Sequence, residues 1–180
     1  QFQSALAGAK LVGRQTPHLR LVDPAPFERS WEQAADLPSE ALGVADLAAT
    51  LAHLRKLPGC SGRAGAVGYC LGGRLAYLMA SRTDCDASVG YYGVYLQEHL
   101  AEAKNIKKPL MLHVAEEDEF VPKEAQAQIF QGLRDHPKVT VHRYPGLNHA
   151  FARVGGKHYD KANADLANRR TLDFFNAHLR

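Results

Sequence analysis

Nothing in the 180-residue chain approaches the roughly 18 consecutive apolar residues of a membrane-spanning helix, so no membrane partner is expected. No charged start followed by an apolar middle marks a signal peptide, and the chain opens on Gln1 rather than Met, which leaves its true start open. Cysteine is scarce. Cys60, Cys70 and Cys85 are odd in number and form no C-x-x-C pair, which points to reduced thiols and a cytoplasmic location. The histidines are scattered rather than clustered, so no metal site is expected. Charge of one sign is also lacking: 22 Lys and Arg face 19 Asp and Glu, a net charge of +3. His142-Arg143 and Arg169-Arg170 are too short to form a footprint on nucleic acid. Phosphate-cradling loops are missing too. "GAVGYCLGGRLA" is not G-x-G-x-x-G, and "VGGKHY" lacks the Walker spacing. No repeat and no low-complexity segment breaks the chain.

What is present suits one domain over residues 1–180 with a substantial core. Residues 1–42 carry the weaker patterns. Phe2 to Val12 reads as a helix, and "HLRLV" (His18 to Val22) alternates as a short strand before "DPAP". From Ser39, a plausible N-cap, Val44, Leu47, Leu51 and Leu54 recur at helical spacing until Pro58-Gly59 ends the run. "RAGAVGYC" then reads as a buried strand and "GRLAYLMASR" as a helix with Leu75, Leu78 and Met79 inward. "ASVGYYGV" is a second strand, followed by a loop, and "KPLMLHVAEED" is a third with acids at its C-terminal end. A helix opens at Pro122 with Ile129, Phe130 and Leu133 inward, and "KVTVHRYPG" alternates as a fourth strand. The last helix, about Asp160 to Leu179, is expected to bury Leu166, Leu172, Phe175 and Leu179. Strands alternating with helices imply an α/β fold, a mostly parallel sheet covered on both faces. Ligands of such sheets bind beyond the carboxyl ends of the strands.

The loop after the first of these strands is Gly68-Tyr69-Cys70-Leu71-Gly72, which fits G-x-S-x-G with cysteine in place of serine. Strand, sharp turn and helix form a nucleophile elbow, and the N–H groups opening the helix favour thiolate and can receive an oxyanion. A cysteine among glycines is otherwise core filler, which is the reading given to Cys60 and Cys85. The third loop offers Glu116, Glu117, Asp118 and Glu119 as an acid that could orient a histidine, and the fourth carries His149. Nucleophile, acid, histidine at successive strand ends is the α/β-hydrolase order. His149 would take the Cys70 proton, a carboxylate on its other nitrogen would fix the tautomer, and Leu71 N–H would be one oxyanion donor. The bland alternatives are a satisfied histidine at 149 and a solvated acidic loop. His113, inside a strand, is read as structural.

"VGYCLGG", "VGYYGV", "EEDEFVP", "HAFAR" and "LANRRTLDFF" together resemble the dienelactone hydrolase (carboxymethylenebutenolidase-like) family, from about Gly43 to Phe175. The resemblance implies an α/β-hydrolase fold without cofactor, acting on a small ester or lactone. It selects Asp118 among the four acids, so that the implied triad is Cys70, Asp118 and His149. It also implies that Arg153 binds a substrate carboxylate, where an ordinary surface ion pair is the alternative, and that Tyr92 lines the pocket. Residues 43–180 match well and residues 1–42 poorly. The family's preceding strand, with its pocket glutamate and second oxyanion donor, has no match there, and a family arginine is echoed only loosely by Arg29. The front of the fold is therefore expected to be truncated or altered. That would leave the nucleophile strand as an exposed edge open to pairing with a second copy. The competing expectation is a non-catalytic remnant of the same fold that acts as a binding module.

Overall fold

A computed structural model describes residues 10–12 and 39–180. The expected strand at 18–22, Arg29 and the first nine residues lie outside the described residues. The order is β1 (Lys10–Val12), α1 (Ser39–Arg55), β2 (Gly65–Tyr69), α2 (Leu71–Arg82), β3 (Ala87–Tyr91), a 3-10 segment (Leu96–Asn105), β4 (Leu110–Ala115), α3 (Lys123–Leu133), β5 (Val139–Tyr144) and α4 (Lys161–His178). The five strands form one sheet in the order β1-β2-β3-β4-β5, parallel from β2 to β5, with β1 antiparallel to β2.

Burial explains the composition of the strands. A parallel sheet covered on both faces needs apolar side chains at nearly every position, and β3 and β4 are buried throughout. Alternate residues of β4 serve different cores. Leu110, Leu112 and Val114 join Leu51, Tyr77, Leu78 and Ile129 on the face carrying α1, α2 and α3. Met111 and Ala115 join Val89, Tyr91, Phe151 and Phe175 on the face covered by α4. No described helix is long and apolar enough to cross a membrane.

Three expectations are corrected. Residues 10–12 are a strand, not the end of a helix, and they occupy the edge of β2 through Lys10↔Val67, Leu11↔Ala66 and Val12↔Gly65. The nucleophile strand is therefore not a bare edge over residues 65–67, and an open ladder there no longer calls for a second copy. Pairing with an existing sheet satisfies backbone groups that a short isolated helix would leave to water. The expected loop before β4 contains the 3-10 segment. Finally, Leu172 is 60% exposed. The inward stripe of α4 is instead Ala164, Ala167, Thr171 and Phe175, with Asn168 at its exposed border, because polar groups of the sheet, Tyr91 and His113, select Thr171 and Asn168 as partners.

Candidate active site

The elbow is built by close approach. A Cβ on Gly68 would lie 1.9 Å from the Gly72 carbonyl oxygen, and one on Gly73 would lie 2.5 Å from that of Tyr91. Only glycine lets α2 start so tightly over β2 and β3. Between them Cys70 takes φ 58° and ψ −121°, backbone that L residues rarely adopt. Three backbone bonds hold it there: Cys70 N–H donates to Tyr91 O (3.1 Å), and the Gly73 and Arg74 N–H groups donate to Cys70 O (2.9 and 3.3 Å). The strained residue is the one the motif marks as nucleophile.

Asp118 and His149 meet across the loops that follow β4 and β5. They are 6% and 7% exposed, and His149 Nδ1 lies 2.9 Å from both Asp118 carboxylate oxygens. Facing that carboxylate, Nδ1 carries the proton and donates it. The imidazole also interacts with the Cys70 thiol. Burial lowers the His149 pKa, but the hydrogen bonds and charges of Asp118 and Cys70 outweigh it and raise the value from 6.5 to about 9. Burial likewise raises the Cys70 pKa, and here the His149 side chain and the Leu71 N–H reverse the shift, against a smaller upward push from Asp118. Both shifts favour a thiolate facing an imidazolium.

The remaining expected residues gather around this centre. Leu71 places its N–H against the sulfur at the start of α2, where unpaired helix N–H groups carry partial positive charge. Tyr92 is buried, with φ 38°, and its ring lies 4.9 Å from His149 and 5.6 Å from Phe151. Burial raises the Tyr92 pKa, together with the charges of Tyr69, Tyr91 and Cys70, against a smaller pull from Arg153, which places that guanidinium nearby. Arg153 is exposed and joins no ion pair among the described residues. The bland reading of Arg153 as half of a surface pair thus finds no partner there. Cys85 is buried and Cys60 half-buried away from the elbow. No group of three His, Cys, Asp or Glu side chains that could hold a metal occurs among the described residues.

Sequence reasoning passed over three residues of this neighbourhood. Phe120, 58% exposed, sets its ring 4.8 Å from His149, and its N–H donates to Asp118 Oδ1 (2.9 Å). Gln126 is buried and its Nε2 donates to Glu116 O (3.1 Å) and Val121 O (2.8 Å), closing the loop that carries Asp118. Asn148 accepts two backbone N–H groups, one from each loop. For two of them the signal was adjacency, since Phe120 lies two residues after the acid and Asn148 directly precedes the histidine, while Gln126 carried none.

Similarity to known proteins bears on the family and the fold. The family model described as "Dienelactone hydrolase family" matches residues 11–179. A carboxymethylenebutenolidase of Pseudomonas putida is 42% identical over 168 residues, 91% of this chain and 70% of that one. Carboxymethylenebutenolidase 1 of Cupriavidus pinatubonensis is 38% identical over 165 residues, again 91% and 70%. A relative from Azospirillum brasilense is 52% identical over 109 residues, but the match spans only 47% of its length. Among solved structures, a dienelactone hydrolase-like promiscuous phosphotriesterase from metagenomic libraries aligns with TM-score 0.62 at 21% identity, covering 73% of this chain and 59% of that one. A Pyrococcus furiosus esterase aligns with TM-score 0.61 at 17% identity, covering 79% and 64%. These two likenesses show the fold. The family match over nearly the whole chain, with relatives near 40% identity across most of it, shows that the chain belongs to the dienelactone hydrolase family.

Proposed function

We propose that this chain hydrolyses a small ester or lactone carrying a carboxylate, of the dienelactone type, through Cys70, His149 and Asp118. The observation that carries the reading is the buried Asp118–His149 pair, with the thiol of a strained elbow cysteine near enough to the imidazole for each to shift the other's pKa. The Cys70 thiolate attacks the carbonyl carbon, and the carbonyl electron pair moves to oxygen, where Leu71 N–H stabilises it. As the tetrahedral intermediate collapses, the C–O bond breaks and the imidazolium proton of His149 goes to the leaving oxygen. In a lactone that oxygen stays tethered to the acyl group. Neutral His149 then takes a proton from water, whose oxygen displaces sulfur from the thioester and restores thiolate and imidazolium. Asp118 keeps the imidazole in the tautomer these steps need. Arg153 supplies a charge for the substrate carboxylate and Tyr92 a wall of the pocket. The names of the Pseudomonas and Cupriavidus relatives support the substrate class.

The test is turnover on a panel of small esters and anionic lactones, with Cys70→Ala as control. Wild type should exceed the variant by about a thousandfold or more. Iodoacetamide should label Cys70 in preference to Cys60 and Cys85. Turnover no greater than that of Cys70→Ala would reject the reading and favour a binding module of the same fold.

A further inference from the structure

Between β4 and β5 the parallel ladder ends at Ala115 and Tyr144. Two backbone bonds continue the contact outward: Glu116 N–H donates to Tyr144 O (3.0 Å), and Glu117 N–H to Leu147 O (2.8 Å). One step further along, at Glu119, the acceptor is a side chain. Asn148 Oδ1 accepts from Glu119 N–H at 3.0 Å and from His149 N–H at 2.6 Å. One oxygen thus receives the backbone N–H that follows Asp118 and the N–H of the histidine itself. An amide oxygen has two lone pairs, so both bonds form together.

We propose that Asn148 is a positioning residue, its side-chain oxygen pinning the acid loop to the histidine loop where the strand ladder ends and so setting the Asp118–His149 contact. The inference rests on Cys70, Asp118 and His149 being the working set. Asn148 touches neither the sulfur nor the His149 ring. It acts through the two backbones that carry the pair, and a side chain without an acceptor at 148 would leave both N–H groups to water. The gap between Asp118 and His149 would then depend on loops joined only further back, at Glu117 and Leu147. Catalytic geometry is sensitive to such displacements, and a shift of about 1 Å can cost about a hundredfold in rate. The groups facing His149 are Asp118, the Cys70 sulfur, Tyr92 and Phe120, and Glu119 turns its carboxylate to His158 at 3.5 Å.

The test follows the His149 imidazole by NMR titration in wild type, Asn148→Ala and Asn148→Asp, with ester turnover and Cys70 alkylation measured on the same folded samples. In Asn148→Ala the His149 titration should fall by about one pH unit, and kcat by about tenfold to a hundredfold, with KM within about twofold. Asn148→Asp keeps an oxygen acceptor and should titrate at or above wild type, with turnover restored to within about threefold. A wild-type titration in Asn148→Ala overturns the proposal, as does an Asn148→Asp variant impaired as badly as Asn148→Ala. Should Asn148→Ala not fold, Asn148→Asp decides alone, with wild-type titration supporting the proposal and a lowered one overturning it. The titration needs no turnover. An unreactive Cys70 with a shifted His149 would therefore reject the proposed function and keep the role of Asn148, and the converse pattern would do the reverse.

Discussion

His113 and His149 stand about equally deep, 0% and 7% exposed, on neighbouring parts of one sheet, yet their imidazoles are driven to opposite charge states. Burial, with help from His142 and Arg170, pushes the His113 pKa from 6.5 down to about 3. Burial also opposes protonation of His149, but its pKa rises to about 9. The partners make the difference. His149 Nδ1 faces a carboxylate, whereas His113 Nδ1 lies 2.8 Å from Tyr144 OH and its Nε2 lies 3.0 Å from Thr171 Oγ1. Hydroxyls can satisfy a neutral ring and offer no charge to hold a proton. Their direction can be deduced as well. Arg170 only donates, so Tyr144 OH accepts from it and passes its own hydrogen to His113 Nδ1. His113 Nε2–H then donates to Thr171, Thr171 to Tyr91, and Tyr91 to Asn168 Oδ1. One histidine is the neutral link in a buried chain of hydroxyls, and the other is held towards its protonated form by a carboxylate.

The strongest way to break the contrast is Asp118→Asn, which keeps the shape and removes the charge. His149 should then move towards His113, with its titration falling from about 9 towards the ordinary 6.5 as Cys70 alone is left to hold the proton, and ester turnover should fall by about a thousandfold or more. Titration and kcat together check this, and an unchanged titration would refute it.

Proton linkage gives the next effect, with opposite signs at the two sites. The folded state of His113 resists a proton that the unfolded chain accepts, so stability is lost as pH falls below 6.5 and goes on falling towards about 3. His149 is the reverse. Its raised pKa contributes stability that is complete below 6.5 and fades as pH rises through about 9. Urea unfolding at a series of pH values should show that His113→Asn flattens the acid limb, by up to about 1.4 kcal/mol per pH unit, and leaves the alkaline limb alone.

Smaller effects come from the hydroxyls. Thr171→Val leaves His113 Nε2 and Tyr91 OH short of a partner and should cost about 1–3 kcal/mol by thermal or urea unfolding, with turnover within about twofold. Tyr144→Phe removes one bond from His113 Nδ1 and one from Arg170, which is half-exposed and can turn to water. About 1 kcal/mol is expected there. Equal losses of activity in Thr171→Val and Asp118→Asn would erase the distinction between the two histidines.

Much of the site could be read without coordinates because each chemical group sits in its own local pattern. Cys70 lies between glycines at a strand-to-helix turn, and Asp118 follows an apolar run and His149 an alternating one, each long enough to be a strand. Asn148 was not readable, because its effect depends on Glu119, 29 residues away in sequence. Leu172 was misplaced for a similar reason. Apolar spacing alone cannot know that Thr171, one residue earlier, has a histidine and a tyrosine waiting for its hydroxyl.

Local covalent patterning therefore determined the alternation of strand and helix, the elbow at Cys70 and the chain order of Cys70, Asp118 and His149 at successive strand ends, since glycine tolerance and apolar periodicity act over a few residues. Tertiary structure alone decided which histidine favours its protonated form, which strand closes the edge of β2, and which side chain ties the two loops together. Those outcomes depend on what stands within about 3 Å in space, and neighbours at that range come from segments well separated along the chain.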